Sequence, residues 1–152
     1  MLQILNKQEK QEILTELEEQ FGIKEIPGII VKRGEERLFL FQGSFDEEKI
    51  KLLESAVPIE RVGIYFAKIQ EGRIRLSIDG VQLFKNQITK NIFEIDKEQA
   101  EKWMHGSELD IPTGKRDFII IKHKNDFLGT GKASAEKVTN FIPKNRRLKF
   151  RS

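Results

Sequence analysis

Residues 92–133 read IFEIDKEQAEKWMHGSELDIPTGKRDFIIIKHKNDFLGTGKA, and this stretch decides how the second half of the chain folds. Residues 91–95, NIFEI, predict a short strand. Asp96 with Gln99 three residues on is a capping box, and it predicts a short helix through about His105 that ends at Gly106. Residues 118–124 and 127–133 are two β-rich runs. The pair between them, Asn125 and Asp126, tolerates the positive φ of a tight hairpin turn. Strands, one short helix and several glycines predict a small barrel.

Outward from there, the first half reads as mixed helix and strand. Ile13, Leu14, Leu17 and Phe21 recur at helical spacing over residues 7–21. Asn6 with Glu9 caps the start, and Gly22 supplies the stop. After Pro27, two apolar runs flank a turn at Gly34 and predict a hairpin. A second helix is predicted over about residues 46–56, capped by Ser44 or Asp46. Residues 62–80 then read as strand, turn at Gly72, and strand.

Charge divides the chain near the same glycine. Residues 1–71 hold 10 basic and 14 acidic side chains, and residues 72–152 hold 17 and 10. The net charges of −4 and +7 place a boundary near Gly72, giving expected domains 1–71 and 72–152, although Gly72 also fits a hairpin turn. A basic half points to a polyanionic partner.

Composition narrows the chemistry. With no cysteine, disulfides, thiolate nucleophiles and cysteine metal ligands are excluded. The two histidines, His105 and His123, lie too far apart in sequence for a helical metal motif. There is no phosphate-binding loop, nucleophile elbow or H-E-x-x-H. The G-x-G of LGTGKA lacks its third glycine and a following helix, so it reads as two strand glycines. No apolar run approaches the length of a membrane span, and a cytoplasmic protein without metal, cofactor or catalytic residues is expected. Trp103, at helical spacing from Ala100, reads as core. His105 suits a helix C-terminus. His123, between Lys122 and Lys124, is placed to touch phosphate.

The end of the chain, KNRRLKFR over residues 144–151, has five cations in eight positions. Read as a strand, it puts Leu148 and Phe150 on one face and Arg147, Lys149 and Arg151 on the other. That row would follow a phosphate backbone, helped by Lys115, Arg116, Lys122, Lys124 and Lys132.

Residues 92–133 resemble a PUA domain, an RNA-binding module. The segment ASAEKVTNFIPKNRRLKF, with its N-x-x-P-K-x-R-R-L run over residues 140–148, is similar to the C-terminal tail of Nop/Sun-type RNA cytosine methyltransferases. The resemblance implies an α+β protein: an N-terminal α/β pre-PUA domain followed by a small mixed β pseudo-barrel. It implies an RNA surface built from the helix, the loop after it and the adjoining strand. Carried onto this sequence, that surface comprises Lys102, His105 and Gly106, then Leu109, Ile111, Thr113 and Lys115. Gly129 and Gly131 match the glycine strand, where a bare backbone admits a ligand or a packed neighbour. Asn140, Lys144, Arg146 and Arg147 match the terminal run. The methyltransferases also need a catalytic cysteine and a cofactor-binding domain, and these 152 residues contain neither.

The expectation is therefore binding of structured RNA, tRNA or rRNA, in RNA modification or ribosome biogenesis. The partner would be that RNA, with an RNA-modifying enzyme or a pre-ribosomal particle. The alternatives are a protein–protein adapter docking through the acidic half, and a carboxylate-dependent nuclease.

Overall fold

The helix expected over residues 7–21 is present as α1 (Lys7–Phe21) in the computed structural model, which describes residues 2–42, 47–56 and 63–149. Its cap is reciprocal. The Glu9 amide donates to Asn6 Oδ1 (2.8 Å), and the Asn6 amide donates to Glu9 Oε1 (3.0 Å). Gly22, at φ +82°, turns the chain out of the helix, a conformation that costs glycine little.

Around α1 the chain lays down β1 (Leu2–Ile4), β2 (Ile29–Arg33), β3 (Arg37–Phe41), α2 (Glu47–Ala56), β4 (Ile64–Gln70), β5 (Arg73–Leu76) and α3 (Ile78–Leu83). The five strands form one antiparallel sheet in chain order. β3 lies at its centre, and Leu38, Phe39, Leu40 and Phe41 are all buried. A strand with four consecutive buried side chains is covered on both faces. On one face Ile50 of α2 joins Val31, Phe39 and Phe41. The outer edge of β5 is closed by a side chain. Gln20 of α1, itself buried, donates to the Ile74 carbonyl (2.9 Å) and accepts from the Ile74 amide (2.8 Å). An open sheet edge is thus satisfied rather than left as a pairing template.

A bulge at Phe66 sets the position of α3. Leu38 pairs with Ala67 and Phe39 with Tyr65, so Phe66 is the extra residue. The Phe66 carbonyl accepts from the Ser77 amide (2.9 Å), and the Ser77 hydroxyl donates to the Tyr65 carbonyl (2.6 Å). Gly80 then sits so close that a Cβ there would fall on the Phe66 carbonyl oxygen.

The chain divides between Ile88 and Thr89, beyond the boundary expected at residue 72. Glu71 and Gly72 form the turn of the β4–β5 hairpin, both with positive φ. The charge balance changes there, but the first core is incomplete until β5 and α3 have been added. Counted by these units, residues 1–88 hold 13 basic and 15 acidic side chains, and residues 89–152 hold 14 and 9.

The second unit contains β6 (Ile92–Glu94), α4 (Lys97–Met104), β7 (Asp117–His123), β8 (Asp126–Ala133), β9 (Val138–Asn140) and a 3-10 turn (Lys144–Arg146). Its sheet runs β6-β7-β8-β9. β6 and β7 are parallel, joined through α4, and the other pairs are antiparallel. Phe118 through Ile121 are consecutively buried, as for a strand covered on both sides. The β7–β8 turn lies one residue earlier than expected. His123 pairs with Asp126, leaving Lys124 and Asn125 in the turn, with Lys124 at φ +54°.

The strand expected at the end of the chain is not formed over its described part. Residues 144–146 make a 3-10 turn, and Leu148 donates its amide to the Met104 carbonyl (2.8 Å) instead of to a neighbouring strand. Phe150 and Arg151 lie outside the described residues, as do the Ser44 and Asp46 cap positions. Among the described residues no helix is long and apolar enough to cross a membrane.

Candidate nucleic-acid interface

The candidate surface is built on α4. The box between Asp96 and Gln99 starts the helix, with bonds of 2.8 and 2.9 Å. Trp103 anchors it. The indole is fully buried, and its Nε1 donates to the Leu128 carbonyl (2.7 Å). Gly131 makes the room, since a Cβ there would lie 2.8 Å from Trp103 Cη2 and would overlap Val138. Gly129 holds φ +97°. Both glycines are buried, so they serve a packed neighbour and backbone shape; neither forms part of an exposed contact surface.

A helix's last carbonyls lack partners within the helix; here the residues just after α4 supply some and the chain's end supplies others. Asn140 Nδ2 donates to the carbonyls of Trp103 (2.8 Å) and Ser107 (3.0 Å), while its Oδ1 accepts from the Ile142 amide (2.8 Å). Met104 receives the Leu148 amide. His105 Nδ1 lies 2.7 Å from the Leu148 carbonyl. A carbonyl only accepts, so Nδ1 carries the proton of that bond. His123 Nδ1 bonds the Ile95 carbonyl in the same sense (2.9 Å).

Arg147 departs from the expected outward row. Its Nε donates to the Ile142 carbonyl (2.9 Å), and its side chain packs where a Cβ on Gly106 would stand. The residue is half-buried and fastens the tail to the end of α4. Leu148, expected to dock the tail by its side chain, is instead exposed and docks it through its backbone.

The other expected residues divide clearly. Lys144, Arg146 and Lys149 are exposed on the docked tail, and Arg116 is exposed in the loop after α4. Ile111, Thr113 and Lys115 are half-buried in that loop, where Thr113 Oγ1 accepts from the Lys115 amide (3.0 Å). Leu109 is core, and its backbone bridges Val138 of β9, so the loop starts from the same edge as Asn140. Lys102 is exposed and pairs loosely with Glu98 at 3.5 Å. Such a surface pair contributes little. Lys132 is half-buried, its Nζ 5.9 Å above the Phe118 ring. Arg151 lies outside the described residues.

The arrangement brings together His105, Gly106, Asn140 and Arg147, with Lys144, Arg146 and Lys149 carried on the segment that they hold. The carbonyls of Met104, Trp103, Ser107 and Ile142 do much of this work, and backbone groups leave no mark in a sequence. Among the described residues no three His, Asp or Glu side chains gather as a metal site.

Residues 90–148 match the family model of the methyltransferase RsmF PUA domain. The matched stretch falls within the second unit. The protein therefore carries a PUA domain and resembles the tail of the Sun-type methyltransferases. No curated protein matches the chain in sequence. Among solved structures, the chain is similar to that of a conserved PUA domain protein from Thermoplasma acidophilum. The TM-score is 0.58 at 14% identity, with 93% of each chain covered. At that identity the likeness is one of fold: α+β, with a PUA-like second unit.

Proposed function

We propose that this PUA-domain protein binds structured RNA, tRNA or rRNA, through the end of α4 and the tail docked on it. It serves RNA modification or ribosome biogenesis in the cytoplasm, recognising RNA for a separate enzyme or particle and catalysing nothing itself. The observation that carries this reading is the docking of the tail. Asn140, Arg147 and the Leu148 amide hold residues 144–149 against α4, so Lys144, Arg146 and Lys149 are presented from a fixed backbone. Ordering that segment in advance lowers the entropic cost of binding.

Affinity then comes mainly from phosphate contacts, and recognition from the shape of the helix, loop and tail against unpaired nucleotides or a helix end. If Lys115, Arg116, Lys144, Arg146 and Lys149 each meet a phosphate, log K falls with log salt at a slope of about −3.5 to −4.5 from these five alone. Fluorescence anisotropy with a labelled stem-loop RNA bearing a single-stranded 3′ end measures it. A slope near zero, or no binding at low salt, rejects the reading.

A further inference from the structure

The first unit has slightly more acidic than basic side chains, 15 against 13, yet its sheet lines up four cations in one row. Arg33 of β2 pairs with Arg37 of β3. Arg37 pairs with Lys68 of β4, and Lys68 with Arg75 of β5. Directly paired residues share a face. That face also carries Val31, Phe39 and Tyr65, two residues or one pairing away, and Arg37 Cζ lies 5.9 Å above the Tyr65 ring. Ile50 of α2 packs on Val31, Phe39 and Phe41. Arg33 and Arg37 remain exposed, and Lys68 and Arg75 half-exposed.

With strands about 4.8 Å apart, the row spans roughly 14 Å. Like charges directly opposite one another repel and destabilise a sheet. Cations do protect sheet edges from aggregation, but β3 and β4 are interior strands, so that explanation does not apply to Arg37 and Lys68. Glu36, in the β2–β3 turn, lies 3.3 Å from Lys68 Nζ and offsets part of the repulsion at one end of the pair. Four cations held in register across four strands, none of them buried, fit an anionic chain laid along them.

We infer that the row Arg33, Arg37, Lys68 and Arg75 is a second phosphate-contacting surface, which takes the sugar-phosphate backbone of RNA. The inference rests on the RNA-binding reading above, because the PUA domain in the same chain favours a nucleic acid over another polyanion. It gives the first unit a part in RNA binding, where its acidic composition pointed to protein docking.

The test compares the full chain with R33Q/R37Q and with K144Q/R146Q, using the same labelled stem-loop RNA across a salt series. R33Q/R37Q is expected to bind about tenfold more weakly near physiological salt, with a slope shallower by about 1.4. Its melting temperature should be nearly unchanged, since both side chains are exposed. If only K144Q/R146Q weakens binding, the row is overturned and the PUA reading stands. If only R33Q/R37Q weakens it, the row stands and the tail surface fails. If the unaltered chain binds no RNA, both fall. Binding to phosphatidylserine vesicles that R33Q/R37Q abolishes, with RNA affinity unchanged, overturns the row as an RNA surface.

Discussion

The two units place their cations in opposite ways. The second is basic in composition, with 14 cations against 9 carboxylates, yet not all of its positive charge faces outward. Arg147 is turned onto a backbone carbonyl and Lys132 lies over Phe118, while the exposed Lys137 is paired with Glu108 at 3.1 Å. The first unit is slightly acidic, yet strand register gathers four cations into one line. A net charge therefore locates a polyanion surface only coarsely. What matters is which cations the backbone holds side by side.

The comparison extends to how each unit is packed, and the two glycines of closest approach break or sharpen it most. Gly80 abuts a backbone carbonyl, whereas Gly131 abuts mainly the side chains of Val138 and Trp103. A carbonyl fixed in a sheet cannot step aside, so Gly80→Ala should cost about 3 kcal/mol, against about 1–2 for Gly131→Ala. Urea unfolding followed by circular dichroism measures both. Equal costs would mean that the Phe66 bulge yields as readily as side chains do.

Each unit also closes its backbone with one side-chain amide. Gln20→Ala strands the buried amide and carbonyl of Ile74 and should cost about 3 kcal/mol. Asn140 is only half-buried. Water can replace part of what it gives, so Asn140→Ala should cost about 1–2 kcal/mol. Hydrogen exchange would show the second change as faster exchange at Ile142 and Leu148, with β5 unaffected.

The smallest effect separates holding a surface from being one. Arg147→Gln should weaken RNA binding a few-fold by loosening the tail while leaving the salt slope nearly unchanged. K144Q/R146Q should make the slope shallower by about 1.4. If Arg147→Gln shifts the slope as much, then its guanidinium meets phosphate after all.

The sequence disclosed what local chemistry determines. Both capping boxes, Asn6 with Glu9 and Asp96 with Gln99, were legible because the partners lie three residues apart. The hairpins at Gly34 and Gly72 were legible from their glycines, and the burial of Trp103 from its helical spacing. β1 was not, because three residues show no period. α3 was hidden because residues 77–80 read as the end of the second strand until Gly80 is seen against the Phe66 carbonyl. The tail misled because KNRRLKFR alternates as a strand would. Pro143 holds φ at −58° ahead of a 3-10 turn, and the bonds that dock the segment reach back to Met104 and His105. The cation row was invisible for a simpler reason: residues 33, 37, 68 and 75 stand apart in the chain, and only register aligns them.

The central claim is that RNA lies on the end of α4 and its docked tail. Titrating the labelled stem-loop RNA into the isotope-enriched full chain, followed by amide NMR shifts, tests it most directly. The largest changes are expected at residues 102–107, 113–116 and 144–149, with a second set at Arg33, Arg37, Lys68 and Arg75. Changes confined to α1 and α2, with residues 102–107 and 144–149 silent at saturating RNA, would contradict the account.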